Sequence, residues 1–231
     1  MMLFLDSTNL SLLQAICNVN VNPEDEQGRT PLHYSAFTPD LHAAKWLVWN
    51  GADVNAKSKG GLMALHYAAS GGNWEMVKWL VEERNVDVNA KTNDGRTVLH
   101  SAASNGNLEM VKWLLEERNS DVNAKSENGW TVLHYAAIHG NLEMVKWLVE
   151  ERNTDVNAKS DDGRTVLHYA AWDRNLEMVK WLVEAGKVDI HLTDRHGRTA
   201  SESDWGDGEV SSYLAPLELS SKSPPGSATK Q

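Results

Sequence analysis

Five histidines, His33, His66, His100, His134 and His168, recur at steps of 33 and then 34 residues, and they are the first side chains here that suggest chemistry. A row of imidazoles can ligate metal or move protons. Paired carboxylates recur as well, at Glu82-Glu83, Glu116-Glu117 and Glu150-Glu151. Two such groups can divide acid and base work when a sheltered pocket drives their pKa values apart. Trp46, Trp79, Trp113, Trp147 and Trp181 form a third series, spaced like a ladder for stacking bases or sugars. Spacing argues against all three readings. Stacked units stand about 10 Å apart, as packed helices do, too far for neighbouring imidazoles to share a zinc with bonds near ~2 Å. The acidic pairs lie beside Arg84, Arg118 and Arg152 at the end of an outward helix, which predicts solvated surface. The tryptophans fall within an apolar stripe of helical period and are expected to pack between units. Cys17 is the only cysteine, so neither an intrachain disulfide nor a cysteine zinc site can form. The chain has no glycine-rich phosphate loop, no nucleophile elbow and no His-Glu-x-x-His. No catalytic residue, metal site or cofactor is predicted.

The elements that position these residues repeat. Gly28-Arg29-Thr30-Pro31-Leu32-His33 returns at Gly95–His100, Gly129–His134 and Gly163–His168, with a looser copy at Gly61–His66. A sixth unit opens at Gly197-Arg198-Thr199, and Asp-Val-Asn-Ala-Lys recurs from Asp53, Asp87, Asp121 and Asp155. Within a unit, Thr offers a side-chain oxygen to cap a short helix, and Pro31 sits where a first-turn proline is tolerated. Leu-His-Tyr-Ala-Ala continues that helix, with alanines where neighbours must approach closely. A Gly-Asn step (Gly72-Asn73, Gly106-Asn107, Gly140-Asn141) separates a second helix, whose Leu108, Val111, Leu114 and Leu115 form one apolar stripe. Asp-Val-Asn and the following polar tip read as a turn. One unit cannot bury its own apolar faces, so the units must stack.

These motifs, Leu-His-x-Ala-Ala, Val-Lys-x-Leu and Asp-Val-Asn-Ala in a period near 33, resemble ankyrin repeats over residues 27–195. The resemblance implies an all-α solenoid: antiparallel helix pairs with hairpin-like turns, stacked in a curved array that binds another protein through its concave face. It also implies a structural, hydrogen-bonding role for the histidine row. The expected organisation is an N-terminal capping half repeat (1–26), repeats at 27–59, 60–93, 94–127, 128–161 and 162–195, a degenerate cap at 196–215 and a disordered tail at 216–231. Most units have 34 residues because Glu-Glu-Arg-Asn replaces the usual Gly-Ala before Asp-Val-Asn. Asn85, Asn119 and Asn153 are then expected to take the left-handed conformation that ends the helix. The turn asparagine resembles a site of asparaginyl hydroxylation, with Asn55 (Leu47 upstream) and Asn123 (Leu115 upstream) as the best matches.

Comparing copies locates the binding residues. Repeats 3 and 4 differ at eight positions, and six of these (94/128, 96/130, 101/135, 104/138, 105/139 and 127/161) fall on the turn tip or the first helix. By register the concave face carries Arg29, Tyr34 and Phe37, then Leu62, Tyr67 and Ser70, then Arg96 and Asn105. Trp130, Tyr135, Ile138 and His139 follow, then Arg164, Tyr169, Trp172 and Asp173. Aromatics and arginines dominate this set, as in interface hot spots, and repeats 4 and 5 are expected to be its centre.

A net charge of −10, from 32 acidic and 22 basic residues, opposes phosphate backbones and anionic lipid, so neither nucleic acid nor membrane is an expected partner. Met1-Met2-Leu3-Phe4-Leu5 is stopped by Asp6 and lacks the basic leader of a signal peptide. A cytoplasmic or nuclear chain, monomeric on its own, is expected: an adaptor, inhibitor or scaffold. The near-identity of the repeats is similar to ankyrin families expanded in symbionts, parasites and viruses, so a host-directed effector is an alternative, as is a passive spacer.

Overall fold

The computed structural model describes residues 20–185, 188–202 and 208–220. Helix pairs follow the repeats: α1 (Pro31–Phe37) and α2 (Leu41–Trp49), α3 (Ala64–Ser70) and α4 (Trp74–Lys78, continued by a π-helical turn Trp79–Glu83), α5 (Val98–Asn105) and α6 (Leu108–Glu116). They continue with α7 (Val132–Ile138) and α8 (Leu142–Glu150), then α9 (Val166–Trp172) and α10 (Leu176–Glu184). A 3₁₀ turn (Ala200–Glu202) and α11 (Glu209–Ser220) close the stack.

The threonine-led first helices carry a reciprocal cap, the threonine side chain taking the N–H of the histidine and the histidine ring taking that of the threonine. His33 Nδ1 accepts the Thr30 backbone N–H at 2.9 Å, and His100 Nδ1 accepts that of Thr97 at 3.0 Å. In repeat 2 the cap residue is Met63, which has no hydroxyl, yet His66 Nδ1 still accepts its N–H at 3.2 Å. With Nδ1 accepting, the proton sits on Nε2. That proton goes to the Leu62 carbonyl from His33 (3.0 Å), to Ala90 from His66 (3.2 Å), to Ala124 from His100 (3.1 Å) and to Arg198 from His168 (3.2 Å). These four rings stitch a helix start to a turn of the same or the next unit, and burial holds all five, His134 included, below the ordinary pKa.

Ala36, Ala68, Ala102, Ala136 and Ala170 are fully buried where consecutive first helices meet. Those helices touch in succession along the stack, whereas second helices of adjacent units stand further apart. The array therefore curves toward its first helices. Met76, Met110, Met144 and Met178, with Val77, Val111, Val145 and Val179, bury the inner face of the second helices. Fully burying one such side chain is worth ~1.5–3 kcal/mol, which a single pair of short helices could not realise alone.

Successive turn tips are tied by backbone bonds, each from the last residue of a repeat to its first: Lys59 N–H to the Gln27 carbonyl (2.8 Å), Asn93 to Gly60 (3.0 Å), Glu127 to Asp94 (2.9 Å), Asp161 to Asn128 (3.0 Å) and Arg195 to Asp162 (2.9 Å). This approach requires glycine. At Gly129 (φ +72°) a Cβ would lie 2.9 Å from the Asp161 backbone nitrogen. Asn85, Asn119 and Asn153 adopt φ of +52°, +52° and +49°, the helix-ending conformation expected of them. Arg174 also has a positive φ, +58°, at the position where the other units place Gly72, Gly106 and Gly140. A side chain costs roughly 1 kcal/mol there. Arg174→Gly is therefore expected to raise unfolding stability by about 1 kcal/mol, read as a higher denaturant midpoint with an unchanged slope.

The expected N-terminal half repeat falls mostly on residues outside the described range. Asn22 does meet repeat 1 as a turn asparagine meets the next unit. Its Oδ1 accepts the Asp53 N–H at 3.1 Å, as Asn157 accepts that of Asp189 at 2.8 Å. The C-terminal boundary needs correction: helix α11 runs through Pro216 to Ser220, so the expected break between 215 and 216 lies inside a helix. Polar composition is misleading there because Glu218 is buried, its Oε2 accepting the hydroxyls of Thr199 (3.0 Å) and Ser201 (2.9 Å). Residues 221–231 of the expected tail lie outside the described range.

Candidate functional site

The turn tips hold their arginines locally. Arg29 Nε lies 2.7 Å from Asp25, Arg96 Nε 2.7 Å from Asp94 and Arg164 Nε 3.3 Å from Asp162. Arg29 also sits 5.0 Å over the Tyr34 ring, and the Tyr34 hydroxyl donates to Asp25 at 2.6 Å. That bond, with the Arg29 contacts, drives the Asp25 carboxyl well below its ordinary range. Three expected binding arginines thus have their charge answered within their own tip.

The tyrosine series divides. Tyr67, Tyr135 and Tyr169 stand edge-on against the histidine of the preceding unit, with centroids 5.3 Å from His33, 5.1 Å from His100 and 5.6 Å from His134. Tyr67 and Tyr135 keep one side open, but Tyr169 is only 2% exposed. The expectation that Tyr169 faces a partner is therefore wrong. Trp130 is the cause: its ring lies 4.6 Å from Tyr169 and 5.3 Å from Tyr135, filling the space that would have opened the tyrosine to solvent. Burial also pushes the Tyr169 hydroxyl up to about 12. Ser101 occupies the same register and is buried, so it too is a packing position.

What remains open on the first-helix face lies in two patches. Tyr34 (51% exposed) and Phe37 (57%) flank a mostly apolar groove of about 420 Å³, floored by Leu62 and Tyr67 and rimmed by Arg29 and Ser70. Further along, Trp172 is 48% exposed beside the exposed Asp173, one unit beyond half-buried Ile138 and exposed His139. Repeat 3 between them is polar, and Asn105 Nδ2 donates to the Ser70 carbonyl at 3.0 Å. The most exposed aromatics of this face thus stand in repeat 1, with a second patch in repeats 4 and 5. Trp130, the residue that differs most in character between repeats 3 and 4, is half-buried.

The second-helix tryptophans pack as expected at Trp79 and Trp113, which are buried; Trp147 and Trp181 are half-buried and Trp46 is half-exposed. They lean toward the preceding unit, Trp113 meeting Trp74 edge-on at 5.2 Å. An arginine ending the same helix covers three of these rings: Arg84 over Trp79 (5.2 Å), Arg118 over Trp113 (4.5 Å) and Arg152 over Trp147 (5.6 Å). The acidic pairs are exposed, and Glu82 and Glu116 bridge to Arg118 and Arg152 of the next unit. Asn55 and Asn123 are exposed, each N–H closing a turn on Asp53 or Asp121 at 2.9 Å.

The family model described as "Ankyrin repeats (3 copies)" matches residues 36–126 and again residues 118–194. The chain belongs to the ankyrin-repeat family. A comparison with curated proteins finds no match. Ankyrin repeats are in general modules for protein–protein interaction, and Trp130 and Trp172 stand at positions where this ankyrin array varies between its copies. No helix among the described residues is long and apolar enough to cross a membrane, and none of their His, Cys, Asp and Glu side chains gather in threes to hold a metal. The residue that a comparison of repeats 3 and 4 passes over is Trp49, at the end of α2 and 91% exposed. Its signal is in the sequence: the corresponding positions of the next three ankyrin repeats are Glu82, Glu116 and Glu150.

Proposed function

We propose that this chain is a non-catalytic interaction module, an adaptor, inhibitor or scaffold of the cytoplasm or nucleus, that takes a partner protein along its first-helix face. The observation carrying this reading is the apolar groove between Tyr34, Phe37, Leu62 and Tyr67. An exposed apolar surface of this kind marks an interaction site more often than chance, and aromatic anchors dominate interface energies. The Trp172 patch with Ile138 and His139 supplies a second contact further along the stack, where Asp173 adds a carboxylate.

Affinity capture from lysate with wild type, Phe37→Ala, Trp172→Ala and Trp130→Ala tests the reading. A shared set of proteins is expected to fall about tenfold with Phe37→Ala and with Trp172→Ala, the effect of losing ~1.4 kcal/mol from a hot spot. Trp130→Ala is expected to lower the melting temperature as well, because it uncovers Tyr169. Capture unaffected by all three variants would leave a passive spacer as the better reading. The exposed Asn55 and Asn123 fit asparaginyl hydroxylation of their turns. Peptides from cells with an active oxygenase that never gain the mass of one oxygen would end that part of the proposal.

A further inference from the structure

The outer surface carries its own anomaly at the junction of repeats 1 and 2. In the next two junctions the arginine ending a second helix reaches back to a carboxylate of the preceding unit: Arg118 pairs with Glu82, and Arg152 lies 3.8 Å from Glu116. Arg84 holds the same position in repeat 2, but the residue facing it from repeat 1 is Trp49. Among the described residues Arg84 makes no ion pair, only its contact over Trp79. Lys45 is similarly deprived. Lys112 and Lys146 pair with Glu109 (3.1 Å) and Glu143 (2.9 Å) three residues earlier, whereas Lys45 has His42 there. Two cations have lost their carboxylates at one place, in a chain of net charge −10.

Those cations border a groove of about 470 Å³ lined by Lys45, Val48, Trp49, Trp79, Glu83 and Arg84. Trp49 stands over it at 91% exposed. Trp46, on the same helix, carries no such argument: its counterparts lean on the preceding unit, which for Trp46 lies outside the described residues. Trp49's counterparts are surface glutamates, so stacking cannot explain a tryptophan there. We infer that this groove docks an acidic segment of a partner protein, a carboxylate of the partner taking on Arg84 the place that Glu82 and Glu116 take on Arg118 and Arg152, while an adjacent apolar side chain lies against Trp49. The charge pattern names the occupant: two unanswered cations against Glu83 favour an anionic peptide, and the indole supplies apolar area with little conformational entropy to lose. This face is opposite to the Phe37 groove and does not depend on it.

A fluorescein-labelled peptide, Glu-Glu-Leu-Glu-Glu-Leu-Glu-Glu, with Gln-for-Glu and Lys-for-Glu versions as controls, tests the inference by anisotropy on the full chain. Trp49→Glu is the informative variant, because it restores the carboxylate of the other junctions and lets Arg84 close on its own chain. It is expected to melt at or above the wild-type temperature yet bind the acidic peptide at least tenfold more weakly. Arg84→Gln is expected to weaken binding similarly, and Phe37→Ala to change it less than twofold. The Gln and Lys peptides should not bind measurably, and added salt should weaken the acidic one. No saturable binding to wild type, equal binding by Trp49→Glu, equal binding of the Gln peptide, or loss with Phe37→Ala would each overturn the inference. Hydroxyl-radical footprinting of the free chain should oxidise Trp49 rapidly. Protection independent of concentration would assign the groove to another segment of this chain, and concentration-dependent protection to a second copy; either overturns the acidic-partner inference.

Discussion

Taken from pH 7 to pH 4, the chain is expected to lose most of its folding stability and to unfold at temperatures where it is stable at neutral pH. The reason lies in His66, His100 and His134. Burial lowers each ring from an ordinary value of 6.5 to about 4. Nearby cations push in the same direction, Arg96 for the first two and Lys125 for the third. Protonation would also put a proton on Nδ1, which already accepts the backbone N–H that starts the helix. The unfolded chain therefore binds these protons first. Stabilisation from the rings is complete above pH 6.5 and drains away as pH falls toward 4. Each ring accounts for about 3 kcal/mol of the loss, since every tenfold difference in proton affinity between the folded and unfolded chain is worth ~1.4 kcal/mol. Three together rival the whole stability of a typical domain, ~5–15 kcal/mol. Carboxylates such as Asp25 are held below their ordinary range and act only at lower pH.

Denaturant titrations at half-unit pH steps check this. A fitted slope approaching three protons between pH 6 and pH 4.5 is expected. His100→Gln should lower stability at pH 7 and remove about one proton from the slope. A pH-independent midpoint between 7 and 4.5 would contradict the account.

Gly129→Val is expected to be strongly destabilising, costing about 3 kcal/mol or more. Two penalties coincide there. The backbone has φ +72°, which a β-branched residue tolerates poorly, and the new Cβ would lie 2.9 Å from the Asp161 nitrogen and 2.5 Å from its Oδ1. The Asp161 N–H bond to the Asn128 carbonyl, which ties the tip that opens repeat 4 to the tip that follows it, sits beside the clash. Because stability in a stack is a sum over neighbours, the damage should be directional. Repeats 1–3 should keep their amide protection while the chain beyond Asn128 exchanges faster. Hydrogen exchange read by mass spectrometry separates this from a uniform loss.

Much of this molecule is legible before any coordinates, because each unit states the same local chemistry again. Positive φ at Asn85, Asn119 and Asn153 follows from replacing the usual glycine by the residue that tolerates that conformation next best. That neighbouring histidines share no metal follows from their separation, and their structural role from the resemblance to ankyrin repeats. What escapes is whether a given register position is covered, since that depends on residues a unit away. Tyr34 and Tyr169 occupy the same position, yet one is half in solvent and the other buried. Tyr169 has His134 behind it and Trp130 over it, while no histidine of a preceding unit stands behind Tyr34 among the described residues. Trp130 reads as an anchor from its difference to Arg96; packing makes it a lid. The helical stretch across Pro216 escapes for a similar reason: local composition does not reveal that Glu218 reaches Thr199, nineteen residues back. Trp49 is visible as a departure from glutamate, but comparing repeats 3 and 4 alone cannot show it.

The polar third repeat between the two open apolar patches has a geometric meaning. Phe37 and Trp172 stand in the first and fifth repeats, and every unit advances the stack by about 10 Å. The separation of the two patches can therefore change only in whole steps, by gain or loss of a unit such as residues 94–127. Repeat number acts as a ruler: for a partner that spans both patches, adding or deleting one repeat would move its second foothold by a full step while leaving each foothold chemically intact.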